Sequence, residues 1–304
     1  MKTHLSLRDL LVVLAVVTIW GFSFVPIRWA LDVVPPFALA ALRFLFAAVP
    51  AVFLIRRPNV PLATVVAYGL AIGVAQFGLL FMGMRLGMAA GLSSLVIQLQ
   101  VFFTIGLAAW WLHDRLTRHS LIGAGIAAAG IVVLGAQKVM AGATSTFAGF
   151  LLVIGAAVGW AIGNVIAKRA ASRAKVDMLS LVVWASLAAP LPLFAASFAF
   201  EGGSRVFTTI AHMGLGPWAC VLFMSYFATI FCLANWNGLL HRYPTAVIAP
   251  FALLVPVSGL LSGALLLGES LAPAQFAGVA MVLAGLAWNV FGAQAREWLA
   301  AAFD

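Results

Sequence analysis

Charge is what this sequence has least of. Of 304 residues only 8 are Asp or Glu and 17 are Lys or Arg, 8% in all, against roughly 25% in soluble domains. That shortage excludes an ordinary water-soluble globular chain. Cysteine is scarce as well: Cys220 and Cys232 are the 2 present. On one predicted helix they stand about 18 Å apart by helical rise, too far for a disulfide. No Walker-type lysine loop and no His or Cys ligand cluster occurs, so ATP drive, a structural metal and any other cofactor are unsupported. Acids and histidines are also missing from the interiors of the apolar runs. Asp9, Asp32, Asp114, Asp177, Glu201, Glu269, Glu297, Asp304 and the 5 histidines fall at predicted helix ends or in loops. No buried proton-carrying group is therefore expected, with Asp114 and Glu269, close to helix ends, as the fallback.

What the chain has in quantity is apolar sequence, 64% of its residues. Its few charges bound long uncharged gaps: Asp9 to Arg28, Arg57 to Arg85, Arg85 to Asp114, Arg118 to Lys138, Lys138 to Lys168, Asp177 to Glu201, Arg205 to Arg242, Arg242 to Glu269 and Glu269 to Arg296. Each encloses at least 18 uncharged residues, and roughly 20 apolar residues at 1.5 Å rise cross a ~30 Å hydrocarbon core. Pro36 to Ile55, broken only by Arg43, makes a tenth run. Barrel strands would alternate over ~10 residues, so the runs predict helices. The expected fold is an all-α membrane protein with ten transmembrane helices. The first run is too long for a secretory leader and lacks a small-x-small cleavage site, so it reads as a retained helix.

The net charge of +9 does not point to nucleic acid, because the basic residues sit at helix ends and form no aromatic-interleaved patch. They carry a topology signal instead. With the N-terminus inside, twelve Lys and Arg fall on the cytoplasmic side, from Lys2 and Arg8 to Arg242 and Arg296. Only Arg28, Arg85, Lys138 and Arg205 fall opposite, and Arg43 lies within the membrane. Both termini are expected in the cytoplasm.

The two halves echo each other. Trp20 to Arg28 (WGFSFVPIR) and Trp160 to Lys168 (WAIGNVIAK) align at an offset of 140 residues, and Asp114 to Gly123 (DRLTRHSLIG) resembles Glu269 to Gly278 (ESLAPAQFAG) at 155. A five-helix repeat follows, 1–140 and 141–304, and an odd number of helices inverts the second copy. Inverted repeats are common in secondary transporters, where two halves rock about a midplane site.

Several stretches then resemble a known family: Trp20-Gly-Phe-Ser-Phe24, Ala41-Leu-Arg-Phe44, Gln76-Phe-Gly78, Leu92 to Gln98 (LSSLVIQ), Pro250 to Pro256 (PFALLVP) and Leu267-Gly-Glu269. From about Leu10 to about Gly292 the chain is similar to the drug/metabolite transporter superfamily, within it to the EamA branch. The resemblance implies a bacterial inner-membrane exporter of cysteine, O-acetylserine and related amino acids, with aromatic amino acids equally open. It also implies ten helices in two inverted repeats. The partners expected are a small-molecule amino acid substrate and membrane lipid. With both halves of the pathway in one chain, a monomer suffices. An exporter of apolar drugs or other metabolites is the alternative. A membrane-embedded enzyme is a further one, for which Ser94 lacks any intramembrane acid or His to activate it.

A zwitterion in a low-dielectric site needs hydrogen-bond partners, so intramembrane polar residues are the candidates for binding it. Gln76 is the only strongly polar side chain between Tyr68 and Arg85, and would either meet substrate or tie two helices. Ser94 and Gln98 share a face of the fourth run, with Ser93 and Gln100 displaced around the helix. Serine can equally bond its own backbone. Trp160 and Asn164 lie one turn apart on the sixth run, as a substrate clamp or as packing. Tyr226 and Thr229 stand nearly in line on the eighth. Arg43, roughly 10 Å into the membrane by helical rise from Pro36, could attract a carboxylate, snorkel outward or brace helix ends through backbone carbonyls. Pro26, Pro250 and Pro256 should kink their helices, freeing carbonyls near Leu95 to Gln98 and Pro250 to Val255. Glycines at every fourth position, among them Gly155, Gly159 and Gly163, or Gly259 and Gly263, predict close helix packing.

Overall fold

The computed structural model describes residues 6–113, 118–140, 144–173, 176–243 and 248–303, and every regular element among them is helical. In chain order these are α1 (Leu7–Val33), α2 (Pro36–Leu54), α3 (Leu62–Arg85), α4 (Ala90–Leu112), α5 (Arg118–Met140), α6 (Thr144–Arg173), α7 (Met178–Ala211), α8 (Leu215–Trp236, continuing to Arg242), α9 (Phe251–Leu267) and α10 (Pro273–Phe303). Eight of them are long and apolar enough to cross a membrane; in α5 and α9 the qualifying apolar parts, Arg118–Leu134 and Phe251–Leu267, are shorter. In α5 the apolar stretch gives way to Gln137 and Lys138. At α9 the chain enters as a 3₁₀ turn, Ala249–Leu253, because Pro250 and Pro256 remove ladder donors. Asp114 and Lys175 lie outside the described residues, as does the Asp304 terminus.

Irregular stretches interrupt several of the helices. In α1 the helix breaks at Ser23, between Leu7–Phe22 and Phe24–Val33, since Pro26 cannot donate to Phe22 one turn back. Two long helices each contain a nine-residue π segment, Leu70–Gly78 in α3 and Phe223–Phe231 in α8. A 3₁₀ turn, Ile97–Leu99, interrupts α4. Such departures recur at functional sites because they redirect side chains and loosen the backbone ladder.

Packing brings α3 against α6, α2 against α7, α4 and α1 against α9, and α5 along α10. Small residues set the spacing. At Gly159 of α6 an added Cβ would lie 2.8 Å from the Gln76 backbone nitrogen of α3, so only glycine lets these two backbones approach so closely. The main apolar core runs through α1 to α8 and α10, from Phe24 and Leu39 to Val153, Leu193, Met224 and Val282.

Candidate substrate-binding site

Four groups of polar side chains lie along the helix interfaces, most of them on the irregular stretches. The first surrounds Arg43 on α2, which is only 5% exposed. Its Nη2 donates to Thr229 Oγ1 of α8 at 3.2 Å, and its guanidinium carbon stands 3.9 Å from the centre of the Phe77 ring and 5.9 Å from that of Phe44. Thr229 sits in the π segment and gives its own proton to Met224 O at 2.9 Å, which leaves its oxygen free to accept from Arg43. Ser225, one turn earlier, shares its one proton between the Val221 carbonyl of its own helix at 2.8 Å and the Arg43 carbonyl at 2.9 Å. Nε and Nη1 of Arg43 have no partner among the described residues.

The second group joins α4 and α6. Asn164 Nδ2 donates to Gln100 Oε1 at 2.7 Å and to Thr104 Oγ1 at 3.1 Å. Trp160, one turn before Asn164, is half-buried against the main core. From Gln100 to Ile105 every residue of α4 is half-buried, so this part of the helix is not close-packed on all sides.

In the third group α4 meets α9. Gln98 Nε2 donates to the Ala252 carbonyl at 3.3 Å. The residue one helical turn beyond Ala252 is Pro256, which has no N–H to offer that carbonyl, and the Gln98 amide takes the place. Ser94 donates to Gly91 O of its own helix at 2.6 Å and packs against Gly259 of α9. The neighbouring Ser93 is buried, with no partner for its hydroxyl among the described residues.

The fourth group joins α1 to α8. Trp20 Nε1 donates to Ala228 O at 2.8 Å, and its ring lies 5.3 Å from that of Trp236. Tyr226, two residues before Ala228, is half-buried. On α3, Gln76 is 3% exposed and its Oε1 has no partner among the described residues. The predicted residues are thus spread over these interfaces rather than gathered in one pocket. Gln100 and Thr104 are additions: their one-turn spacing was visible, but nothing in α4 alone pointed to Asn164.

The acids tie helix ends. Glu269 accepts from the backbone N–H groups of Ala90 and Gly91 at 2.6 and 2.8 Å, holding the first turn of α4, where a carboxylate also complements the helix dipole. Glu201 does the same for α2 through Phe37 at 2.8 Å and Ala38 at 3.3 Å, and takes the Ser197 hydroxyl. At the other end of the bundle Asp9 accepts from Tyr243 Oη at 2.6 Å and pairs with Arg242 at 2.9 Å, tying α1 to the end of α8. Asp32 pairs with Arg28, and Asp177 caps its own helix α7. Among the described residues no group of His, Cys, Asp and Glu could hold a metal ion.

Comparisons with known proteins give this arrangement its family. The model of the EamA-like transporter family matches residues 7–136 and again 147–291. A Salmonella typhimurium LT2 protein named "Probable amino-acid metabolite efflux pump" is 41% identical over 294 residues, covering 96% of this chain and 98% of that protein. Its Escherichia coli K12 namesake is 40% identical over the same length and coverage. The Escherichia coli K12 "Uncharacterized inner membrane transporter YedA" is 25% identical over 275 residues, with 88% and 86% covered. A solved crystal structure shares the fold, with a TM-score of 0.64 at 20% identity over 95% of this chain and 99% of the other. The chain is therefore a multi-pass inner-membrane transporter rather than an enzyme, and belongs to the EamA-like transporter family.

Proposed function

We propose that this transporter exports amino acids and related small metabolites by alternating access. The observation that carries the reading is the likeness, over essentially the whole chain, to two proteins named as amino-acid metabolite efflux pumps. The polar groups of the four interfaces supply what a zwitterion needs in an apolar bundle: amides at Gln76 and Gln98, the hydroxyl of Tyr226 and the aromatic face of Trp160, while Asn164 and Thr229 are engaged with neighbouring helices and hold the site in place. Ser94, engaged with its own backbone, serves α4 to α9 contact instead.

The proposed architecture is ten crossings in two inverted five-helix repeats, 1–140 and 141–304, with both termini in the cytoplasm. Three observations support it. The family model matches twice, once in each half. The π segments of α3 and α8 stand at an offset of 153 residues, between the two offsets in the sequence. The helix pairings also mirror one another, α1 on α9 against α6 on α4, and α3 on α6 against α8 on α1. Twelve basic residues against four favour cytoplasmic ends. Both halves of the path lie in one chain, so the working unit is the monomer.

Export runs down the substrate gradient. Asp9, Asp32, Asp177, Glu201 and Glu269 are all engaged at helix ends, and none stands free inside the bundle to carry a proton. The test is uptake of radiolabelled cysteine, threonine, methionine and phenylalanine into proteoliposomes, with Gln98→Ala beside the wild type. Saturable uptake weakened by the substitution is expected. No uptake of any would abandon amino acids as substrates, and uphill accumulation driven by a pH gradient alone would abandon the uncoupled mechanism.

A further inference from the structure

We infer that Arg43 is the anion anchor of the transport site, binding the carboxylate of the substrate, so that the transported class must carry one. The inference rests on the exporter reading above. An arginine at this depth has four ways to be accommodated, and the structure speaks against three. It does not snorkel, being 5% exposed. It braces no helix end, since among the described residues its guanidinium donates to the Thr229 hydroxyl and not to a carbonyl. Among the described residues no carboxylate pairs with it.

What remains is a buried cation with donors to spare. Of the five N–H groups of a guanidinium, Nε and Nη1 carry three, and neither nitrogen has an acceptor. The Phe77 ring, 3.9 Å away, attracts the cation through its π face but satisfies no N–H. A charge left unpaired in a low-dielectric interior is costly, and an arriving carboxylate removes that cost while pairing the idle donors. Thr229 and Ser225 hold the arginine to the π segment of α8 from its side chain and its carbonyl, so they are positioning residues. In the second repeat Trp184 stands at the corresponding place, and its Nε1 is taken by the Ile55 carbonyl at 2.9 Å. The site therefore has one anion anchor, on the α2 side.

The test compares, in proteoliposomes, uptake of phenylalanine and methionine with uptake of the matched amino amides, in which a neutral amide replaces the carboxylate. Wild type should prefer the acids. Arg43→Gln should cut acid uptake roughly 10–100-fold, the worth of a charge-assisted hydrogen bond, and so erase the preference for acid over amide. Arg43→Lys should retain part of it. Thr229→Val, which keeps the charge but frees it, covers the case in which Arg43→Gln does not fold, and should blunt the preference severalfold. An Arg43→Gln protein that keeps the wild-type preference, or a wild type that moves acid and amide equally well, overturns the inference and leaves the exporter standing. A wild type that moves neither takes down both.

Discussion

Asn164 is the residue whose role the structure changes most. One turn from Trp160 it reads as half of a clamp, yet both of its donors are spent on Gln100 and Thr104 of α4. Asn164→Ala should therefore lower the stability of the detergent-solubilised protein by about 0.5–2 kcal/mol, the range of hydrogen bonds between membrane helices, as measured by thermal unfolding. No change would mean that the bonds are exchanged for water at no cost. The depth of Arg43 was legible, because Pro36 marks a helix start and seven residues of rise follow. Its Thr229 partner was not, since 186 residues separate them and only tertiary packing brings α2 to α8. Ser94 shows the same limit: its one-turn spacing from Gln98 was visible in sequence, but which of the two would reach across to α9 depends on the 3₁₀ turn between Ile97 and Leu99.

At the scale of the helix, proline and glycine explain most of what could be anticipated. Pro26 accounts for the break in α1 at Ser23, and Pro256 for the carbonyl that Gln98 occupies. The π segments of α3 and α8 have no such marker, and their Leu, Ala, Phe and Ile residues would fit an ordinary helix equally well. Close approach at the α3 to α6 seam is testable. Gly159→Ala puts a methyl group against the Gln76 backbone, and overpacking of this kind costs about 1–3 kcal/mol. A lowered unfolding temperature together with reduced transport is expected. Wild-type values for both would show that the two helices can separate freely.

Across the whole molecule, the acids distinguish the two ends of the bundle. Glu201 and Glu269 close the end where α2 and α4 begin, while Asp9, Tyr243 and Arg242 join α1 to α8 at the opposite end. From the sequence the acids are expected at helix ends or in loops, whereas Glu201 lies in the π segment Phe198–Gly202 within α7; what each acid holds depends on partners up to 234 residues away, which no local pattern encodes. If Glu269 holds the start of α4 shut, Glu269→Ala should speed alkylation of a Ser93→Cys variant by a membrane-impermeant maleimide severalfold, with Cys220 and Cys232 replaced by alanine. An unchanged rate would make the clasp incidental.

The bond from Gln98 to Ala252 bears on the transport cycle as well as on the fold. Parting α4 from α9 strands an amide and a carbonyl in an apolar setting, where each lost partner costs about 1–3 kcal/mol. A substrate that offers its own donors and acceptors lowers that barrier, and an empty carrier must climb it unaided. Turnover should then be limited by the return of the unloaded protein, so that proteoliposomes preloaded with cold substrate take up label faster than empty ones, and Gln98→Ala should narrow the difference.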